Sequence, residues 1–268
     1  MKKTLKLVFF IAVLFFIYAP ILILTVYSFT DATTIGAIRG FSLHNYVTLF
    51  TTEELRSMII GTVTLALGSA AIATVLGTMG AIGSFYSRKR TGSLISTMNQ
   101  IPVVNADVVT GFSICILLVV VFGVSKDTYL PLVAGHVTLC APFVYLSVIP
   151  KLKQMDPHLY EAALDLGATP SRALFSVVIP QIGSGIISGF ALAITLSLDD
   201  YFIATYTKPA TFDTISTYVV NATKGSQTEI KTALWALSTV IFVIVVLIVI
   251  LMNVRSYRAD KRLGKAGA

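Results

Sequence analysis

Six apolar runs, each long enough to cross a membrane, constrain this chain more than any other feature. They occupy about 7–29, 58–86, 94–122, 130–149, 182–206 and 233–253. A hydrocarbon core about 30 Å thick is crossed by roughly 20 helical residues. Open strands are excluded as crossing elements, because lipid leaves their edge N–H and C=O groups without partners. The runs predict an all-α integral membrane protein with six transmembrane helices, forming a single transmembrane domain over residues 1–268. Only 12% of the residues are charged, against about 25% in a soluble domain. Too little charge is present to cover a water-facing surface, so the lipid bilayer is the first expected partner.

Lys2, Lys3 and Lys6 precede the first run, as in a signal peptide. The run exceeds the usual apolar region of about 7–15 residues, and no small-residue cleavage pattern follows. An uncleaved first span is expected.

The net charge of +7 does not form the single basic patch that nucleic acid requires, so no nucleic-acid partner is expected. The basic residues sit instead in short clusters between the runs. With six spans both ends share one side. That side holds the three N-terminal lysines, Arg88–Lys89–Arg90, Lys151, Lys153, Arg172 and the C-terminal cluster from Arg255 to Lys265, fourteen in all. The other side holds six: Arg39, Arg56, Lys126, Lys208, Lys224 and Lys231. The positive-inside rule then places both termini in the cytoplasm, with Trp235 near the outer end of the last span.

Cys115 and Cys140 fall inside apolar runs and read as small buried hydrophobes. His44, His136 and His158 share no ligand spacing and read as structural, so neither metal nor cofactor is expected. Asn221-Ala222-Thr223 matches the glycosylation pattern, a short motif with many chance occurrences. Small residues recur every fourth position at Ser69, Ala73, Gly77, Ala81 and at Gly185, Gly189, Ala193. Such stripes allow close helix approach, either between subunits or within the chain.

The connection over about 150–181 is unusually structured. Asp156-Pro157 reads as an N-cap followed by proline at the first helical position. The helix runs through Glu161, Ala162, Ala163 and Leu166, and Gly167 provides its C-terminal stop. Thr169-Pro170 repeats the start signal, and a second helix leads toward Ile179-Pro180. Residues 156–166 contain no Lys or Arg, unlike a helix that lies on a lipid surface. The apolar ridge of Ala162, Ala163 and Leu166 therefore predicts docking on a partner protein.

These residues carry a resemblance. Glu161-Ala162-Ala163, three residues, Gly167, nine residues, then Val177-x-Ile179-Pro180 is similar to the EAA loop of binding-protein-dependent ABC importer permeases. That loop follows the pattern E-A-A-x3-G-x9-I-x-L-P. The resemblance implies the type I ABC importer permease fold. It also implies a cytoplasmic helix-turn-helix coupling loop between helices 4 and 5 that docks on a cytoplasmic ABC ATPase dimer. Glu161, Ala162, Ala163, Leu166 and Gly167 are the expected coupling residues. The chain carries no G-x4-G-K-[ST] phosphate loop, so ATP would be bound by the partner ATPase and this subunit would be no enzyme.

Charged side chains at membrane depth cost about 2.5–3.5 kcal/mol on insertion scales and usually mark a pathway. Asp107, Asp199 and Asp200 are the candidates. At about 100° per residue, Ser184, Ser188, Thr195, Asp199, Phe202 and Tyr206 gather on one face, a prospective pathway wall. Gly185, Gly189, Ala193 and Asp200 fall on another, so Asp200 is expected to be paired within the bundle. Carboxylates beside aromatic rings suit an organic cation.

Ser197-Leu198-Asp199-Asp200 resembles the S-[LM]-D-D segment of spermidine/putrescine importer permeases. Asp107-Val108-Val109-Thr110-Gly111-Phe112-Ser113 is similar to their P-[DE]-[IV]-x-x-[GA]-x-S stretch. Ala106 replaces the usual proline, which moves the expected kink to Pro102. Tyr18-Ala19-Pro20 and His136-x-x-x-Cys140-x-Pro142-Phe143 extend the similarity, which is to the C-type permease subunit of such systems. It implies a bacterial inner (plasma) membrane location, a homologous permease partner, an extracytoplasmic solute-binding protein and a small cationic substrate. The residues leave open another solute (ferric ion, an oxyanion or a sugar) and, from a different class, a self-sufficient channel or carrier.

Overall fold

The computed structural model describes residues 2–32, 40–156, 158–224, 232–243 and 246–247. Pro157, Arg39, Lys231, the C-terminal basic cluster and most of the last apolar run beyond 243 lie outside the described residues. The chain divides into two compact units, one of residues 1–56 with 219–268 and one of residues 57–218.

In the first unit α1 (Lys2–Ser28) and α2 (His44–Thr51) meet at a polar corner. The end of α1 frees backbone carbonyls, and the Asn45 amide donates to Ser28 O at 3.1 Å and Thr30 O at 3.0 Å. Phe16, on α1, is 82% exposed, as a lipid-facing side chain should be. Helix α12 (Thr232–Val243) sets Trp235 edge-on to Tyr27 at 5.6 Å.

The second unit takes in most of α3 (Glu53–Tyr86). After it come α4 (Lys89–Val104), α5 (Asp107–Ile116, extended by a π turn over Leu117–Val121) and α6 (Leu130–Gln154). Then follow α7 (His158–Asp165) and α8 (Pro170–Ala173), which continues through a π turn at Leu174–Val178 into α9 (Ile179–Asp199). Helices α10 (Phe202–Thr207) and α11 (Ile215–Lys224) come last, α11 passing into the first unit. Among the described residues four helices are long and apolar enough to cross a membrane, or five if the bent α4–α5 pair is one span.

Helix α6 is the axis of the core. Both small-residue stripes are buried and pack within the chain. A Cβ on Gly77 would lie 2.6 Å from the Ala141 carbonyl oxygen and 2.7 Å from the Val144 Cβ. One on Gly185 would meet Ser147 O at 2.9 Å, and one on Gly189 the Val144 Cα at 3.1 Å. So α3 and α9 clasp α6 through their small faces. In lipid, where no hydrophobic effect drives helices together, such close packing supplies the attraction.

Three sequence expectations are corrected. The run 94–122 is not one helix, because α4 and α5 meet at 107°. The break falls at Asn105-Ala106, both extended (ψ 146° and 136°), and not at Pro102, which stays inside α4. Proline deprives the last turn of α4 of one donor, and Asn105 turns its amide to Thr110 Oγ1 at 3.1 Å, bracing the corner. The connection after the fourth run starts later than residue 150, since α6 carries Pro142 and Pro150 within it and ends at Gln154. Its second helix joins α9 without interruption from Pro170 to Asp199. The π turn before Pro180 accommodates the missing N–H. The fifth run does not reach 206 as a helix either. It stops at Asp199, and α10 is separate.

Candidate functional site

The elbow formed by α7 and α8 is built by its caps. Asp156 Oδ1 accepts from His158 N at 2.9 Å. At the other end Ala168 N donates to Ala163 O at 3.0 Å and Gly167 N to Leu164 O at 2.8 Å, with Gly167 at φ +86°. This is a Schellman closure, which needs a left-handed residue at that position. Thr169 Oγ1 then accepts from Arg172 N at 3.4 Å to open α8. Leu159 and Tyr160 pack against the core formed by α6 and α9, and the Tyr160 ring lies 5.1 Å from that of Tyr86 on α3. That fixes one face of α7 and leaves the other free. Glu161, Ala162 and Gly167 are exposed, Ala163 is half-buried, and Leu166 is 90% exposed. Removing the cap by Asp156→Ala is expected to cost about 1 kcal/mol of local helix stability. Faster hydrogen exchange in the α7 amides would report it, and unchanged exchange would show that the cap does not hold this helix.

The second candidate site is the break between α9 and α10. Asp200 is buried and caps α10, its carboxylate accepting from Ile203 N at 3.2 Å and Ala204 N at 2.8 Å. Asp107 opens α5 and Asp199 closes α9. Both are exposed, and both lie within electrostatic reach of Asp200. Helix α10 wedges onto α5 and α6, where a Cβ on Gly111 would lie 2.9 Å from the Ile203 Cα. Aromatic rings pair on these same elements: Phe112 meets Tyr206 edge-on at 5.9 Å, and Tyr201 meets Phe202 at 5.2 Å.

The sequence-derived pathway wall holds its register only to the end of α9. Ser184, Ser188, Thr195 and Asp199 are exposed, while Gly185, Gly189 and Ala193 are buried. The Thr195 hydroxyl is turned back to Ala191 O at 3.0 Å. Phe202 and Tyr206 sit on α10, so their alignment with Asp199 along one helix does not exist. Packing of α10 on α5 sets Tyr206 against Phe112 instead. Among the described residues no Lys or Arg pairs with Asp107 or Asp199. Lys208 is held by Asp213 at 3.0 Å and donates to Phe212 O at 2.9 Å. Broken helices that bring their ends together at membrane depth are a usual way to build a solute site.

One polar residue of this region reads in the sequence only as a structural histidine and as part of the His136-x-x-x-Cys140 run. His136 on α6 is fully buried, with Nδ1 2.8 Å from Ser197 Oγ and Nε2 3.8 Å from Asp200 Oδ2. Ser197 Oγ in turn lies 3.2 Å from Ser69 Oγ on α3. No local spacing relates these residues, which come from three helices. Among the described residues no cluster of His, Cys, Asp and Glu is arranged to hold a metal ion.

The chain is 36% identical over 196 residues to the putrescine transport system permease protein PotI of Escherichia coli (strain K12), covering 71% of this chain and 70% of that one. It is 30% identical over 237 residues to the spermidine/putrescine transport system permease protein PotC of Haemophilus influenzae, covering 88% and 90%. Among solved structures, a bacterial alginate ABC transporter in complex with its alginate pentasaccharide-bound periplasmic protein shares the fold. The TM-score is 0.72 at 19% identity, covering 92% of this chain and 91% of that one. Residues 73–265 match the family model described as binding-protein-dependent transport system inner membrane component. With its apolar spans, its capped elbow and that match over most of its length, the chain belongs to the binding-protein-dependent transport system inner membrane components, an ABC permease family.

Proposed function

We propose that this chain is a permease subunit of an ATP-driven importer whose cargo is a polyamine of the spermidine/putrescine class. The observation that carries the reading is the cluster of Asp107, Asp199 and Asp200 at the ends of α5, α9 and α10, with no lysine or arginine bound to Asp107 or Asp199 among the described residues, where Phe112 and Tyr206 pair as α10 packs on α5. Two similar proteins are named for putrescine and spermidine/putrescine transport, which supports the same cargo class. An ammonium group gains from carboxylates and from ring faces at once. Thr195 lies one turn before Asp199 on the same exposed face and extends the route.

ATP is bound and hydrolysed by a separate ATPase dimer, and the chain itself needs no cofactor. Glu161, Ala162, Ala163, Leu166 and Gly167 form the surface that receives its motion. A second, homologous permease completes the route, and an extracytoplasmic binding protein delivers the cargo. Both termini then lie in the cytoplasm, in agreement with the Lys and Arg asymmetry.

Reconstituting the chain with its partner subunits in liposomes tests the reading. Labelled spermidine or putrescine should enter only with internal ATP, and unlabelled polyamine should compete while ferric ion, oxyanions and sugars should not. Uptake driven by this chain alone would refute the ATP-coupled reading. Asp199→Asn should raise the KM for polyamine about tenfold, equivalent to about 1.4 kcal/mol, with assembly intact. An unchanged KM would remove Asp199 from the route.

A further inference from the structure

The contact between His136 and Asp200 is a lone pair of polar atoms that cannot both be left as they stand. His136 Nε2 is fully buried and makes no hydrogen bond. Its nearest carboxylate oxygen, Asp200 Oδ2, is 3.8 Å away. Buried polar atoms are nearly always satisfied, because the protein interior gives back nothing for the water they lose.

The protons in the chain leading to this contact can be counted. Ser69 Oγ lies 2.7 Å from Leu65 O, so its hydroxyl proton points to that carbonyl, which can only accept. Ser69 Oγ then offers a lone pair to Ser197 Oγ at 3.2 Å, which takes the Ser197 proton. With its proton so assigned, Ser197 Oγ has only a lone pair left for His136 Nδ1, 2.8 Å away, which makes Nδ1 the donor. With Nδ1 carrying a proton, neutral His136 presents a lone pair at Nε2 to a carboxylate that also presents lone pairs. One additional proton relieves the contact, on either atom, and a closure of about 1 Å brings the two within bonding distance.

From this we propose that His136 and Asp200 share one proton, and that His136 is a positioning residue for the carboxylate cluster. The pair carries no net charge, so Asp107 and Asp199 present the two negative charges that a cation meets. The same pair ties α6 to the N-terminal end of α10, because Asp200 also accepts from Ile203 N and Ala204 N. The other titratable groups facing the pair are Asp107 on α5, Asp199 on α9 and Cys140 on α6, whose thiol donates to Ala193 O at 3.3 Å. From α3 the pair meets the Ser69 hydroxyl, through Ser197. The role in transport rests on the cation reading above, whereas the shared proton does not.

Two measurements on the full complex separate them. Nitrogen-15 NMR of histidine-labelled complex, with His136→Gln subtracted to assign the signal, should show a protonated Nδ1 and an Nε2 moved from the bare-nitrogen position by the shared proton. A bare Nε2, or a bare Nδ1 with the proton on Nε2, would overturn the proposal, whatever the cargo. In liposomes, His136→Gln and His136→Leu should each raise the KM for putrescine about tenfold. Maximal rate and cargo-free ATP hydrolysis should stay within twofold, and His136→Gln/Asp200→Asn should be no worse than the worse single variant. Loss of assembly or maximal rate with KM unchanged in both His136 variants would reduce His136 to a packing residue. A protonated Nδ1 with the Nε2 signal of a shared proton, together with no polyamine uptake by the unaltered complex, would leave the shared proton standing, and would overturn the cargo reading and the positioning role that depends on it.

Discussion

Replacing Gly167 by proline is expected to lower transport by the assembled complex at least tenfold and to uncouple ATP hydrolysis from it. Gly167 sits at φ +86°, and proline is held near −65°, so the native turn is inaccessible to the variant. The substitution also deletes the N–H that donates to Leu164 O, and the bond from Ala168 N to Ala163 O depends on the same reversal. Both closing bonds of α7 are therefore lost in a motif only a few residues long. The effect should stay local. Helices α6 and α9 pack through Gly185 and Gly189 against Ser147, Val148 and Val144, none of which involves the elbow. Yield and thermal stability of the purified chain should change little, while cargo-stimulated ATP hydrolysis and uptake separate. Gly167→Ala tests the cause, since an L-residue in the left-handed region costs about 1–2 kcal/mol but remains possible. It should be intermediate. Wild-type coupling in the proline variant would mean that the elbow transmits nothing.

Gly77→Leu is expected to be the most damaging substitution in the core. The Cβ alone would lie 2.6 Å from the Ala141 carbonyl and 2.7 Å from the Val144 Cβ. Neither can move without displacing α6. Overpacking costs typically about 1–3 kcal/mol and occasionally more, and here rigid backbone is opposed on both sides of the contact. We expect a loss at or above the top of that range, read as a lower unfolding temperature and a sharp fall in the yield of folded chain in detergent. Gly83→Leu is the control, because nothing lies within 4 Å of a Cβ there. If both variants behaved alike, close approach of α3 to α6 would not be what the small-residue stripe provides.

The elbow was legible because every signal in it is local. Asp156, Gly167 and Thr169-Pro170 act on backbone groups within a few residues of themselves, so residue type and spacing suffice to read them. The acidic site was legible only in part. The alternation of exposed Thr195 and Asp199 with buried Gly189 and Ala193 follows helical periodicity and was readable up to Asp199. Extending the same wheel to Phe202 and Tyr206 failed, because Asp200 accepts the first N–H groups of α10 and starts a new helix where periodicity alone continues the old one. The break at Asn105-Ala106 escaped for a similar reason. Proline at 102 is the conspicuous residue, yet the chain turns three residues later, where an asparagine amide finds Thr110.

By itself, the sequence determined that this chain lives in a membrane as helices, since run length and the scarcity of charge leave no other way to satisfy the backbone in lipid. It also determined the capped elbow, whose hydrogen bonds join near neighbours. Only the tertiary structure decided that the small-residue stripes clasp α6, that Asp107 joins Asp199 and Asp200, and that His136 stands behind them. Those contacts join residues far apart along the chain. They depend on how bent helices pack, which no local pattern of residues encodes.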